Sequence, residues 1–493
     1  MGTDADAEAI EFGTDGWRAT LDVFTDARVR MVGQAVATYL RDEGPGGTGR
    51  SGEDGSDSAG GTGMADATVA IGYDARESSR RFAEELSRVL AANGFDVLVP
   101  PRDVPTPVVA WTVTDRDLAG ALMVTASHNP PEYNGVKFLP ADGAPAMPEE
   151  TDAVVSRLAE PTTLPDEEWG DVSEVEFVEP FFEHSLSTVD ADLSGLTVAY
   201  DAMHGSGRGV TDALLERAGA DCTRLRCEQD PDFGGTSPEP EAGRIGELIE
   251  RVTEGGADIG IANDGDADRV TVVTPERGAL DPNLFFAATY EALLDGDALA
   301  DPAGFARSGD VVRTVSTSSI VDRVAESHNR RVHETAVGFK WVADAMAEHD
   351  ALMGGEESGG FGLTSHLRNK DGVLLALLAA AIDAERPYDE RIAALLDRHG
   401  NIVQDRISVG CPDDRKAAVL DELDDALPDE VAGASVERVS AVDGFKIFLD
   451  GGDWLLVRPS GTEPKLRVYA EAGSQGRADE LLAAGRELVE PLV

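Results

Sequence analysis

Short apolar runs alternate with amphipathic stretches along most of the chain. ATVAIGYD (67–74) predicts a strand, RRFAEELSRVLAANG (80–94) a helix stopped by Gly94, FDVLVP (95–100) a second strand and AGALMVTAS (119–127) a third. The rhythm returns at LTVAYDAMHGSGRGVTDALLERAGA (196–220) and at ADIGIAND (257–264). Strand–helix–strand repeats of this kind predict parallel sheets covered by helices. The C-terminal part reads differently. Strand-like SVERVSAVDGFKIFLDGGDWLLVRPS precedes a closing helix rich in Ala, Glu and Leu, as in a smaller α+β domain. Boundaries are expected in the Pro/Asp/Glu-rich stretch 160–176, after the strand near 270–280, and near 396–403. The segment 44–67, mostly Gly, Ser and Asp, lacks apolar periodicity and predicts a disordered loop.

Composition narrows this picture. At roughly 150 residues per domain, 493 residues suggest three or four domains. No apolar run approaches the ~20 residues of a membrane helix, so no membrane partner is expected. The N-terminus, MGTDADAEAIEFG, lacks the basic-then-apolar order of a secretory signal. Cys222, Cys227 and Cys411 form no CxxC pair, which fits a reduced cytoplasmic protein without disulfides or a thiolate metal site. Acidic residues number 93 against 42 basic ones, a net charge of −51 spread along the whole chain. Such a surface repels itself at low ionic strength, whereas at molar salt the screening length falls to about 3 Å. The expectation is adaptation to a salt-rich cytoplasm, such as that of a halophilic archaeon. Without a basic stripe, nucleic acid is excluded as a partner.

Four segments carry candidate chemistry. Asp264-Gly265-Asp266-Ala267-Asp268-Arg269 follows the apolar run IGIA. Alternate residues lie about 6.8 Å apart in a straight strand, so three carboxylates share one ion only if the chain curls. Held together they need a cation, or their pKa values rise, and oxygen-only ligands suit Mg²⁺ or Ca²⁺ rather than Zn²⁺. A calcium EF-hand loop is excluded, because Arg269 and Pro275 stand where that loop needs Gly and Glu. Thr125-Ala126-Ser127-His128-Asn129-Pro130 also ends an apolar strand, where open α/β sheets bind ligands. Ser127 is a candidate nucleophile outside any G-x-S-x-G elbow. Lys137 follows in EYNGVKF, one of only six lysines in the chain. A lysine, unlike an arginine, can exchange a proton once its pKa is lowered. Arg458-Pro459-Ser460-Gly461-Thr462-Glu463-Pro464, followed by Lys465 and Arg467, offers backbone N–H groups and guanidinium forks for an anion. In Gly354-Gly355-Glu356-Glu357-Ser358-Gly359-Gly360, Glu356 and Ser358 are candidates for sugar hydroxyls, although alone this reads as a flexible acidic loop.

Together and in this order, the segments resemble the α-D-phosphohexomutase family: TASHNP its phosphoserine loop, DGDADR its metal loop, GEESGG its sugar loop and RPSGTEPKLRVY its phosphate loop. FGTDGWRA (12–19), DAMHGSG (201–207), FGGTSPEP (233–240) and VGFKW (337–341) extend the likeness over nearly the whole chain. The resemblance implies an α/β fold of four domains around a central cleft, three similar mixed α/β sandwich domains and a smaller C-terminal α+β domain. The domains expected are 1–176, 177–278, 279–398 and 399–493. It implies phosphorylated Ser127, and Mg²⁺ held by Asp264, Asp266, Asp268 and the phosphoserine. Arg18, Lys137 and Arg269 would lie near the transferred group, with Lys137 as general base and His128 as helper. Glu356 and Ser358 would hold the sugar, and Arg458, Ser460, Gly461, Thr462 and Arg467 the non-transferring phosphate. The implied reaction passes through a hexose 1,6-bisphosphate, which also serves as activator. VGFKW around Lys340 resembles the glucose-phosphate branch, ahead of mannose phosphate and glucosamine phosphate. The chain departs from several branches at Gly360, where histidine is common. Two rivals are a metal-dependent sugar phosphatase, which needs no distant sugar loop, and a sugar-phosphate-binding protein, which needs neither Ser127 nor Lys137.

Overall fold

The computed structural model describes residues 3–13, 16–44, 67–296, 298–299, 309–461 and 463–493. Residues 45–66 of the Gly/Ser/Asp-rich segment and Thr462 lie outside them. The chain divides into two compact units: Met1–Leu280, Gly296–Phe305 and Gly359–Glu385 form the first, and Asp281–Asp295, Ala306–Ser358 and Arg386–Val493 the second. No helix among the described residues is long and apolar enough to cross a membrane.

The first unit contains two sheets. One has the order β1–β2–β6–β5–β3–β4–β7, formed by Phe12–Gly13 (β1), Gly16–Thr20 (β2), Thr68–Tyr73 (β3), Asp96–Val99 (β4), Gly120–Val124 (β5), Tyr133–Pro140 (β6) and Val172–Glu174 (β7). Strands β3, β4, β5 and β7 run parallel, as the sequence rhythm predicts. Val69, Ile71 and Tyr73 of β3 pack with Phe82 and Leu86 of the helix Ser79–Ala92. The sheet is nevertheless mixed: β6 runs antiparallel to β5, and β2 antiparallel to β6. Only TASHNPPE separates β5 from β6, too short for a crossover, so the chain must reverse there.

The second sheet has the order β12–β11–β10–β8–β9, from Thr197–Asp201 (β8), Asp221–Leu225 (β9), Ile259–Asn263 (β10), Val270–Thr274 (β11) and Gly278–Ala279 (β12). The same device appears. β10 is parallel to β8 and buried throughout, and the six residues DGDADR return the chain antiparallel into β11. The apolar helix Gly372–Glu385 packs against β10 and β11.

In the second unit, Val311–Thr314 (β13) pairs in parallel with Val332–Thr335 (β14) and Met353–Gly355 (β15). The chain then rejoins the first unit at Phe361–Leu363 (β16). The C-terminal sheet is antiparallel, in the order β17–β22–β21–β20–β19–β18. Its strands are Val403–Gly410 (β17), Glu430–Val431 (β18), Ala434–Ser440 (β19), Phe445–Leu449 (β20), Trp454–Pro459 (β21) and Lys465–Ala472 (β22). Period-two alternation gives it two buried faces. Leu455, Val457 and Val468 pack with Leu481 of the helix Gln475–Val489, whereas Trp454, Leu456 and Tyr469 pack with Val315.

Candidate active site

Ser127 lies in the reversal after β5, fully buried, with φ of 50°. A non-glycine residue in the left-handed region costs about 1–3 kcal/mol and persists only where its surroundings hold it. Here the hold is explicit. Ser127 N–H donates to Thr125 Oγ1 (2.8 Å), and Thr125 Oγ1 donates to Asp74 Oδ2 (2.8 Å). Arg76, paired with Asp74 at 3.0 Å, donates to the carbonyls of Ser127, Asn129, Pro130 and Tyr133 at 2.7–3.2 Å. The loop is thus wound around one buried guanidinium. Ser127 Oγ donates to Asp264 Oδ2 at 2.9 Å and lies 3.3 Å from His128 Nδ1.

The three aspartates come together as a curled turn. Each offers a carboxylate oxygen, and these oxygens lie within 4.8 Å of one another, with all three residues buried. Two features of the turn make this possible. Ala267 adopts φ of 52°. Gly265 passes so close to the serine loop that a Cβ there would lie 2.6 Å from the Ser127 carbonyl oxygen. Burial, then the neighbouring Asp266 and Asp268, push the Asp264 carboxyl well above its ordinary pKa. Burial works the same way on Asp268, but Lys137, Lys370 and Arg269 outweigh it and hold that carboxyl well below the usual range. Lys137 Nζ donates to Asp266 Oδ2 (2.9 Å) and Asp268 Oδ2 (2.8 Å), and Lys370 Nζ lies 2.9 Å from the same Asp268 oxygen. Asp266 Oδ1 and Asp268 Oδ1 are buried without a hydrogen-bond partner among the described residues. Oxygen donors left this way, in a converging set, fit a hard divalent cation.

The remaining predicted residues of this centre gather around it. Arg18 Nη1 donates to Asn129 Oδ1 (3.3 Å), and Arg269 N–H donates to Asp264 Oδ1 (3.1 Å). Arg269, burial and Arg18, in that order, press the His128 pKa far below its ordinary value, so the imidazole is neutral at pH 7.

The predicted phosphate loop, and the sugar loop as far as Ser358, lie in the second unit. Glu356 at the end of β15 is buried, not part of an open acidic loop, and accepts from Gly338 N–H at 3.1 Å. Ser358 Oγ donates to Glu356 Oε2 at 3.4 Å. Gly338 precedes the helix Phe339–Glu348 with φ of 121°, a conformation that demands glycine, and Lys340 follows in that helix's first turn. Arg458 and Arg467 stand directly opposite on β21 and β22. Like charges so placed repel unless countered. Asp443 pairs with Arg458 (2.8 Å) and Glu463 with Arg467 (2.9 Å), which leaves two adjacent guanidiniums suited to an anion. Lys416 Nζ donates to the carbonyls of Ser460 (2.5 Å) and Glu463 (2.7 Å), bracing the turn that holds Gly461.

Sequence reasoning missed Asp74, Arg76, Thr106, Lys370, Lys416 and Asp443. Thr106 Oγ1 donates to Asp266 Oδ2 at 2.6 Å. The rarity of lysine was a usable signal, since it singles out Lys370 and Lys416 as readily as Lys137. Nothing local distinguishes Arg76 among the many arginines.

Four family models match the chain. They are described as phosphoglucomutase/phosphomannomutase alpha/beta/alpha domain I (residues 57–164), domain II (176–278) and domain III (291–399), and the C-terminal domain (407–488). A phosphoglucomutase/phosphomannomutase of Thermococcus kodakarensis is 30% identical, covering 86% of this chain and 90% of the relative. A probable phosphoglucosamine mutase of Methanopyrus kandleri is 31% identical over 95% of both chains. A phosphopentomutase of Thermococcus kodakarensis is 30% identical over 98% of both. Among solved structures, a phosphoglucomutase/phosphomannomutase family protein from Burkholderia thailandensis superposes with a TM-score of 0.80. It is 20% identical and covers 99% of this chain and 98% of its own.

Proposed function

Because the chain belongs to the phosphoglucomutase/phosphomannomutase family, and is therefore an intramolecular phosphotransferase, we propose that it interconverts a hexose 1-phosphate and a hexose 6-phosphate, with glucose preferred. One observation carries the reading of the site: a buried serine hydroxyl 2.9 Å from one of three converging carboxylates. The domains proposed are 1–176, 177–278, 279–398 and 399–493, bearing the serine, metal, sugar and phosphate loops in turn.

Ser127 would carry the phosphoryl group. The free hydroxyl oxygen of the hexose monophosphate attacks phosphorus, the P–O bond to Ser127 Oγ breaks, and the hydroxyl proton passes to Lys137. A hexose 1,6-bisphosphate results, and we assign it also the role of activator. It returns its other phosphoryl group to Ser127, and the vacated sugar oxygen recovers a proton. Lys137 must be a neutral amine to take that proton, whereas Asp266 and Asp268 favour its ammonium form, and as the ammonium it is the acid that returns a proton to the vacated oxygen. Asp264, Asp266 and Asp268, with the phosphoserine, would hold Mg²⁺, which when bound neutralises charge on the transferred group. Arg18 and Arg269 add fixed positive charge beside Ser127. His128, neutral at pH 7, serves as a hydrogen-bond partner of the serine oxygen. Glu356 and Ser358 would hold the sugar hydroxyls. Arg458, Ser460, Gly461, Thr462 and Arg467 would hold the phosphate that is not in transit.

The glucose preference rests on the VGFKW segment around Lys340; the similar relatives are named for glucose and mannose together, for glucosamine and for pentose, and the test must distinguish them. Phosphorus NMR of the protein in molar KCl with Mg²⁺ does so, with glucose, mannose and glucosamine 1-phosphates and ribose 1-phosphate supplied separately, each with a trace of its bisphosphate. The expected result is a 6-phosphate signal growing fastest from glucose 1-phosphate. Faster turnover of another sugar overturns the preference. Inorganic phosphate without an isomerised product overturns the mutase reading.

A further inference from the structure

Three segments of the second unit that were predicted to hold substrate are joined by one short run of hydrogen bonds, and its centre is Asp443. Gly338 N–H donates to Glu356 Oε1 at 3.1 Å, tying the sugar loop to the VGFKW turn. The preceding N–H, that of Val337, donates to Asp443 Oδ2 at 3.1 Å. The same oxygen accepts from Arg458 Nε at 2.8 Å. Asp443 itself stands in the turn between β19 and β20, outside all of the motifs that the sequence singles out.

The chemistry of this junction is specific. Two successive backbone N–H groups at the entry to the helix Phe339–Glu348, that of Val337 and that of the N-cap Gly338, are taken by two carboxylates from different parts of the chain. Gly338 permits this, because its φ of 121° turns the backbone between the two acceptors. On the other side, Asp443 occupies Arg458 Nε, so the terminal Nη pair is the edge with which that guanidinium would meet a phosphate. The pair is largely withdrawn from water, with Asp443 16% and Arg458 10% exposed, so its attraction is little screened.

We propose that Asp443 is a positioning residue that couples the sugar loop to the phosphate loop. It sets the spacing between the groups that hold the hydroxyls and the group that holds the non-transferring phosphate. The proposal rests on the mutase reading. A mutase must bind its sugar phosphate in two orientations, each spanning that same spacing, so a fixed span serves both. Asp443 would touch no reacting atom; its effect passes through Arg458 and the Val337–Gly338 turn.

The test compares wild type, Asp443→Asn and Asp443→Ala with the hexose 1-phosphate that wild type turns over fastest. Loss of a charge-assisted hydrogen bond predicts a KM about tenfold higher for Asp443→Ala, with kcat within about twofold of wild type. Asp443→Asn, which keeps the shape and one acceptor oxygen, should fall between. Inorganic phosphate, used as a competitive inhibitor, should weaken in the same order. A KM within about twofold of wild type in Asp443→Ala overturns the proposal. So does a parallel loss of kcat and melting temperature with KM unchanged, since that marks a merely structural role. Asp443→Asn keeps the comparison open should the alanine variant not fold. A wild type that turns over no hexose phosphate overturns the mutase reading and this proposal with it.

Discussion

The aspartate triad of the first unit and the arginine pair of the second each place like charges side by side, but they are countered differently. The triad is wholly buried, with Lys137 and Lys370 within 2.9 Å of its oxygens. Low dielectric magnifies each charge there, so two neighbouring carboxyls are driven in opposite directions, Asp264 up and Asp268 down. Arg458 and Arg467 instead stand on a β-hairpin, each with one carboxylate partner, and Glu463 is 42% exposed. Solvent and salt take part of the load at Arg467 and Glu463, while the Asp443–Arg458 pair beside them is sheltered. The proposed chemistry, which must discriminate between charge states, suits the buried centre; the proposed phosphate grip, which must release its ligand, suits a hairpin with one partly open ion pair.

That contrast predicts effects of graded size. Ser127→Ala should be the most severe, lowering turnover by about 10⁴-fold or more while leaving the melting temperature near that of wild type, because only the proposed nucleophile is lost. Appreciable activity in the folded variant would contradict the buried centre's role. Arg76→Met comes next. It removes the ligand of four carbonyls and leaves Asp74 buried and unpaired, a loss of about 3–5 kcal/mol in urea unfolding. Where the variant folds, kcat should fall by about 100-fold, since the serine loop loses its fixed conformation. Arg467→Gln on the hairpin should be milder. KM should rise about tenfold with little change in kcat, and the rise should shrink as KCl is increased. A dominant kcat defect would erase the distinction between the two regions.

The smallest effect concerns a half-buried histidine pair in the first unit. His184 Nε2 lies 2.9 Å from His366 Nδ1, and His366 Nε2 lies 2.7 Å from Asp371, the residue beside Lys370. Burial, then His366, brings the His184 pKa down to about 4. Between about 4 and the unfolded value near 6.5, the unfolded chain binds a proton that the folded chain does not. Stability from this group is therefore complete above that window and is lost as pH falls through it. Urea unfolding at pH 7.5 and pH 4.5 should show a larger loss for wild type than for His184→Phe. Equal losses would remove His184 as the cause.

The serine loop and the aspartate loop were legible because each is contiguous and follows a buried strand. IGIA before DGDADR and ALMV before TASHNP announce a loop at a strand's carboxyl end. The rhythm also predicted parallel sheets, and the sheets proved mixed, because those same short loops cannot make a crossover. Glu356 was underread for a related reason. Glycine-rich flanks suggest an open loop, whereas the buried end of β15 and the Gly338 N–H turn it inward. Arg76, Lys370, Thr106 and Asp443 left no comparable local mark, since their partners lie far away in sequence.

By itself, then, the amino-acid order determined the element pattern, the family resemblance, and the chemical character of Ser127, the three aspartates and the arginines, because side-chain chemistry and periodicity are local properties. Only the tertiary structure decided that Ser127 takes a left-handed backbone, that burial raises the pKa of Asp264 while Lys137 and Lys370 lower that of Asp268, and that Asp443 joins the VGFKW turn to Arg458. Those outcomes depend on burial and on distances of a few ångströms between groups far apart in the chain, and such distances exist only once the sheets have closed around them.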